Sequence, residues 1–242
     1  MFFVFPALAL LPNIVYFLAA VLPAYMLLRY VYLQDRVEKE PARLLGTLLL
    51  MGCAAALCSG VLEALGEYLL DFFVSSDSPY YVVLLAFLVV AAVEEGTKLF
   101  FLRLRSWNHP AFNYRFDGIV YAVFVSLGFA ALENIQYVVN YGLSVALPRA
   151  LLAIPGHMAF AIFMGAYYGR ARLLENMGEH DASKRSLLTG YFVAVFLHGF
   201  YDACAMVSTT ISSVIFIAFV IVMFILAYNT LKRESDTDEP IV

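Results

Sequence analysis

Apolar runs of about 20 residues, parted by short polar segments, recur along the 242-residue chain and decide what it can fold into. Inside hydrocarbon every backbone N–H and C=O needs an internal partner, so runs of this kind cross as α-helices. The spacing predicts seven spans, at 10–33, 44–70, 80–102, 117–139, 149–169, 187–206 and 211–231. The last two are nearly continuous, but one straight helix of about 45 residues would run about 67 Å, twice the hydrocarbon thickness. They are therefore expected to reverse around Ser208 to Ser213.

Composition agrees: 63% of residues are hydrophobic and 14% charged, against about 25% charged in a soluble domain. The expectation is an all-α polytopic bundle in the cell membrane, with one domain over 1–231 and a polar tail over 232–242. Met1 to Leu28 has no basic n-region and no small-residue cleavage site, so it reads as a retained helix. Cys53, Cys58 and Cys204 sit in apolar runs without metal-ligand spacing and read as small core residues. A net charge of −4 without a basic block leaves no footprint for nucleic acid.

Lysine and arginine fall in every second connection: Arg36, Lys39 and Arg43 after the first span, Arg103, Arg105 and Arg115 after the third, Arg170, Arg172, Lys184 and Arg185 after the fifth, and Lys232 and Arg233 at the end. The other connections, around Asp71 and before Arg149, carry one basic residue between them. The positive-inside rule then places the N-terminus outside and the C-terminus in the cytoplasm. The tail from Glu234 to Glu239 is expected to be solvated and mobile.

Against this background the stretch AAVEEGTKLFF, Ala91 to Phe101, is anomalous, because Glu94, Glu95 and Lys98 lie inside an apolar run. An ionised group at the bilayer centre costs at least about 2.5–3.5 kcal/mol, so the three must face protein or water. Helical spacing lets Lys98 reach either carboxylate. Glu63 and Glu67, Glu133, His157, and His198 with Asp202 also interrupt apolar runs. Counted from the outer helix ends, Glu133, His157, His198 and Asp202 lie about 6–12 Å deep, with Glu94 near 20 Å. Tilt or shifted boundaries would close that gap.

His198 and Asp202 are four apart on one helix face, where the carboxylate can orient the imidazole or join it on a metal. A lone intramembrane histidine such as His157 is as readily a satisfied packing residue. Asn134 and Gln136, beside Glu133, read as interhelical hydrogen-bonding groups. Phe129 and Phe160 read as core on spacing alone, and Glu67 as an interfacial group, whereas the direction in which Glu63 faces is open. The residues themselves permit a divalent metal that activates water, a metal-free hydrolysis in which Glu94 or Glu95 takes a proton from water while a histidine donates to the oxyanion, or a proton- or metal-coupled transport path. A non-catalytic scaffold is the remaining class.

Four motifs nevertheless resemble the PrsW-type intramembrane proteases, a family distantly similar to the type II CAAX-prenyl proteases. EEGTK, Glu94 to Lys98, is similar to E-E-x-x-K; Phe116 to Tyr137 is similar to the F-D-G and G-F-A-x-x-E-N signature. HMAFAIFMG, His157 to Gly165, resembles H-x-x-F-x-x-x-x-G, and HGFYD, His198 to Asp202, resembles H-x-x-x-D. The segment Gln34 to Pro41 is similar to the family's acidic, proline-ended loop, reading EKEP where the family tends toward E-P-E-P. The resemblance covers 34–202 in family order.

It implies a multi-helix protease acting on a membrane-anchored protein or peptide within the lipid bilayer, the known example being site-1 cleavage of a membrane-spanning anti-sigma factor in stress signalling. By the same resemblance Glu94 and Glu95 are the catalytic acids, and Glu133, His157, His198 and Asp202 complete the site. A divalent metal such as zinc, held by Glu133, His157, His198 and Asp202, is one expectation. The positive charge of Lys98 favours the other, a site without an obligatory metal.

Overall fold

A computed structural model of the chain describes residues 4–207 and 209–241, with side chains from Ile14 onward. The first three residues of the opening segment and Ser208 of the expected reversal lie outside the described residues. Among the described residues seven helical rods make the bundle: α1 (Val4–Gln34), α2 (Ala42–Phe73), α3 (81–106), α4 (Asp117–Tyr141), α5 (Leu143–Asn176), α6 (His180–Val207) and α7 (Thr210–Asp236). Six are long and apolar enough to cross a membrane, and α3 is the exception because its charged residues fall inside it.

The ends of the rods follow from local chemistry. Pro41 precedes α2, where a missing N–H costs nothing. Gly142 closes α4 at φ 79°, a left-handed backbone that a side chain resists. After Val207, α7 opens on a capping box in which Thr209 and Ser212 bond each other's backbone N–H groups. The reversal between the last two spans is thus encoded by hydroxyl caps.

α4 is the central helix, packing on α1, α2, α3 and α5. Lipid gives helices little hydrophobic reason to associate, so close packing between small residues does that work. At the α2–α4 crossing a Cβ on Gly52 would lie 1.9 Å from the Val125 carbonyl oxygen, and one on Gly128 would lie 2.2 Å from that of Leu49. At the α4–α5 crossing a Cβ on Gly165 would lie 2.6 Å from the Ile119 Cα, and one on Gly169 would lie 2.1 Å from the carbonyl oxygen of Arg115 in the loop before α4.

Two rods are not uniformly α-helical. α3 is wound as π-helix over Leu85–Ala91, and α5 over Arg149–Ala153. Each such segment adds residues to a turn and so rotates all that follows by up to about 100° per residue. Both lie just before an ionisable residue, Glu94 in α3 and His157 in α5. In the first, the Phe87 ring packs on Gly199, next to His198.

The three basic connections and the chain end gather at one end of the bundle. Arg36 pairs with Asp236 at 2.6 Å, Arg115 with Glu234 at 2.9 Å, and Asn176 Nδ2 donates to the Ile241 carbonyl at 2.9 Å. The tail is therefore not the free extension expected from its charge. The loop before α4 has N–H groups outside any helix, and the tail satisfies them: Arg115 N–H donates to the Glu239 carbonyl at 3.0 Å and Phe116 N–H to Asp238 Oδ1 at 2.8 Å. Ile241 is buried behind this strap, 1% exposed.

Two measurements test this packing. Gly128→Leu is expected to lose about 1–3 kcal/mol or more through overpacking, seen as a lower melting temperature in detergent, whereas Gly46→Ala, with nothing within 4 Å, leaves it unchanged. Asp35, at the basic end, is 1% exposed, and burial pushes its carboxyl up to about 6 from 3.8. Such a group favours the fold while protonated, so its contribution is full below pH ~3.8 and lost as pH rises through about 6. Asp35→Asn is expected to flatten the fall in melting temperature over that window.

Candidate active site

The half of the bundle away from the basic end holds a cavity of about 580 Å³, lined from α2 to α7. Glu94, Glu133, His157, His198 and Asp202 all reach its wall. Glu95 lies behind it, 0% exposed. The one-to-two-turn difference in depth expected for Glu94 is absent, since its Oε2 lies 3.9 Å from His198 Nε2. Counting along single helices leaves out how the rods sit against one another.

Lys98 is the centre of the arrangement. Its Nζ donates to Glu94 Oε2 at 3.0 Å and to Glu95 Oε1 at 2.7 Å, and lies 3.1 Å from His157 Nδ1. The Phe129 ring faces the same nitrogen, 4.1 Å from its centroid. An ammonium has only protons to give, so His157 Nδ1 accepts, and its proton is on Nε2. That Nε2–H donates to Glu133 Oε2 at 3.1 Å. Glu133 is held in turn by Arg149 Nη2 at 3.0 Å.

His198 is positioned from both sides. Nδ1–H donates to Glu95 Oε1 at 2.9 Å, and Nε2 faces Asp202 Oδ2 at 3.3 Å. The Phe160 ring stacks on the imidazole at 4.8 Å. Phe129 and Phe160, core by spacing, are thus core side chains that also line the cavity and fix a cation and an imidazole. Glu94 Oε2 bonds the ammonium, while the Oε2 of Glu95 is buried without a hydrogen-bond partner among the described residues.

Other expectations divide. Asn134 is the interhelical group expected, donating to the Ala20 carbonyl at 2.8 Å and accepting from Arg149 Nε at 2.8 Å. Gln136 instead lines the cavity, as does Glu63, whose Oε1 is buried without a partner among the described residues. Glu67 does not line it. Arg149 was not singled out from the sequence, yet its guanidinium donates to Asn134, forms an ion pair with Glu133 and lies 3.8 Å over the Tyr137 ring. The signal was present, because it is the one basic residue in the two acidic or neutral connections.

The sequence profile of the PrsW family, described as intramembrane metalloproteases, matches residues 40–228. The chain belongs to the PrsW family of intramembrane proteases. Protease PrsW of Oceanobacillus iheyensis is 31% identical over 90% of this chain and 95% of its own length. Protease PrsW of Shouchella clausii is 33% identical over 90% and 96%, and that of Bacillus subtilis 33% over 76% and 79%. No solved structure matches. The chain is accordingly a peptide hydrolase and a multi-pass integral membrane protein.

The family's description makes a metal the first thing to fit. Glu94, Glu95, His157 and His198 each offer a donor atom within 4.8 Å of the others, a carboxylate and imidazole set of the kind zinc takes. This set differs from the expected one, for Glu133 and Asp202 stand behind the two histidines as hydrogen-bond partners. As arranged, the residues do not fit a divalent ion: the Lys98 ammonium already spends one atom from each of Glu94, Glu95 and His157. A dication beside that ammonium would meet like-charge repulsion at low dielectric.

The tautomer of His157 is a direct check on this geometry. Nitrogen-15 spectra of the histidine-labelled protein are expected to show His157 protonated at Nε2. Glu133→Ala is expected to keep that tautomer, because the Lys98 ammonium still faces Nδ1; an Nδ1–H signal in the unaltered protein would contradict that contact.

Proposed function

We propose that this family member hydrolyses its peptide bond with Glu94 as general base and without an obligatory metal. The observation that carries this reading is the position of Lys98, which supplies the positive charge a metal would otherwise bring to Glu94 and Glu95. Glu94 faces the cavity and Glu95 does not, so the first is placed to meet water and the second to orient His198 and Lys98.

In the step proposed, Glu94 takes a proton from water as the water oxygen bonds the substrate carbonyl carbon. The carbonyl oxygen becomes an oxyanion, which accepts from Nε2–H of a His198 imidazolium, a cation held by Glu95 at Nδ1 and by Asp202 at 3.3 Å from Nε2. When the C=O re-forms the C–N bond breaks, and the proton on Glu94 passes to the leaving nitrogen. His157, anchored by Lys98 and Glu133, keeps the ammonium in place.

The same reading takes α3 as a seventh span, its charged residues shielded by the bundle. It sets the N-terminus outside and the tail in the cytoplasm, the cavity opening toward the outer half of the bilayer, and takes 1–231 as the protease unit. A membrane-anchored protein is the substrate class, and the anti-sigma factor role known for the family is the proposed use.

Glu94→Gln and His198→Asn are expected to lower kcat on a membrane-spanning reporter peptide by about 10²–10⁴-fold while the protein still inserts and melts near the parent temperature. Activity is expected to survive exhaustive chelation with metal content at background. Loss of activity on chelation, restored by zinc, would overturn the metal-free reading.

A further inference from the structure

At the basic end, between α5 and α7 and remote from the catalytic cavity, lies a second hollow of about 490 Å³. Its lining is amphipathic: α5 contributes Phe163, Ala166, Leu173 and Leu174 around Arg170, and α7 contributes Arg233 beside Glu234. Arg115, from the loop before α4, completes the wall. Apolar side chains beside a cluster of guanidiniums match the amphipathic profile of a phospholipid, acyl chain and phosphate.

The charges are only partly consumed within the protein. Three guanidiniums face one carboxylate in the hollow, Glu234, which takes Arg115 at 2.9 Å and Arg233 at 3.0 Å. Glu239, outside the hollow, takes Arg115 Nη1. Arg170 has no ion pair or hydrogen bond from its side chain among the described residues, and Arg115 Nε is buried without a partner. A phosphodiester offers the planar, two-oxygen acceptor that guanidinium groups bind best.

We propose that this hollow is a binding site for one anionic phospholipid, its headgroup phosphate held by Arg170, Arg233 and Arg115 and its acyl chain lying along Phe163 and Ala166. The site is independent of the catalytic reading, since it shares no residue with the cavity.

The test is native mass spectrometry of the full chain in detergent, offered equal amounts of dioleoyl phosphatidylglycerol and dioleoyl phosphatidylcholine. One phosphatidylglycerol is expected to be retained in preference to phosphatidylcholine, and millimolar inorganic phosphate is expected not to displace it. Arg170→Gln with Arg233→Gln is expected to weaken retention roughly 30-fold, the effect of removing two basic groups near a lipid phosphate. Arg43→Gln with Lys184→Gln, which removes the same charge elsewhere, is expected to leave it unchanged. Equal retention of the two lipids would overturn the proposal, and this arm needs no variant to fold. So would displacement by inorganic phosphate, or an equal loss in the control pair.

Discussion

The structure turns on a single ammonium. Lys98 lies 3% exposed at its side chain between two buried carboxylates and an imidazole, and none of these groups would tolerate that depth without the others. Moving a carboxylate from water into a low-dielectric interior costs several kcal/mol, a cost offset here only by short, well-aimed contacts to an opposite charge. The charge is shared further, through His157 to Glu133 and Arg149 and through Glu95 to His198 and Asp202. A site of acids and bases thereby stands inside an apolar bundle with most of its charges paired.

The scaffold serves that arrangement. Backbone-to-backbone contact at Gly52, Gly128 and Gly169 clamps α2, α4 and α5 together, so the cavity between their halves away from the basic end keeps its shape without a thick layer of side chains. The two π-helical segments sit immediately ahead of Glu94 and His157. They set the rotation that lets residues from separate rods meet within hydrogen-bonding distance, at the expense of a less regular ladder. At the opposite end the tail straps the basic loops together, leaving the arginines of α5 and α7 at the helix ends.

Much of this could be read from the residues alone. The rods follow from apolar length, and the six ionisable positions were legible because each is too costly in lipid to be incidental. What was not legible came from context that spacing does not encode. The tail reads as a charged, solvated end, because its partners are backbone N–H groups of a loop some 120 residues away. The apparent difference in depth of Glu94 came from counting along single helices, which leaves out how the rods sit against one another. The donor set changed for a similar reason: Asp202 and His198 share a helix face, but which nitrogen meets which carboxylate depends on Glu95 arriving from another rod. Arg149 escaped notice because a lone arginine in a loop is ordinarily solvated.

The most direct test of the central claim compares the unfolding free energy of Lys98→Met with that of the triple variant Lys98→Met, Glu94→Gln, Glu95→Gln, measured reversibly in detergent. Removing the ammonium alone leaves two buried carboxylates without their counter-charge and is expected to cost about 3–5 kcal/mol, while neutralising the carboxylates as well recovers most of that loss. A Lys98→Met protein as stable as the parent, or a triple variant no better than the single one, would show that the ammonium does not hold the site together.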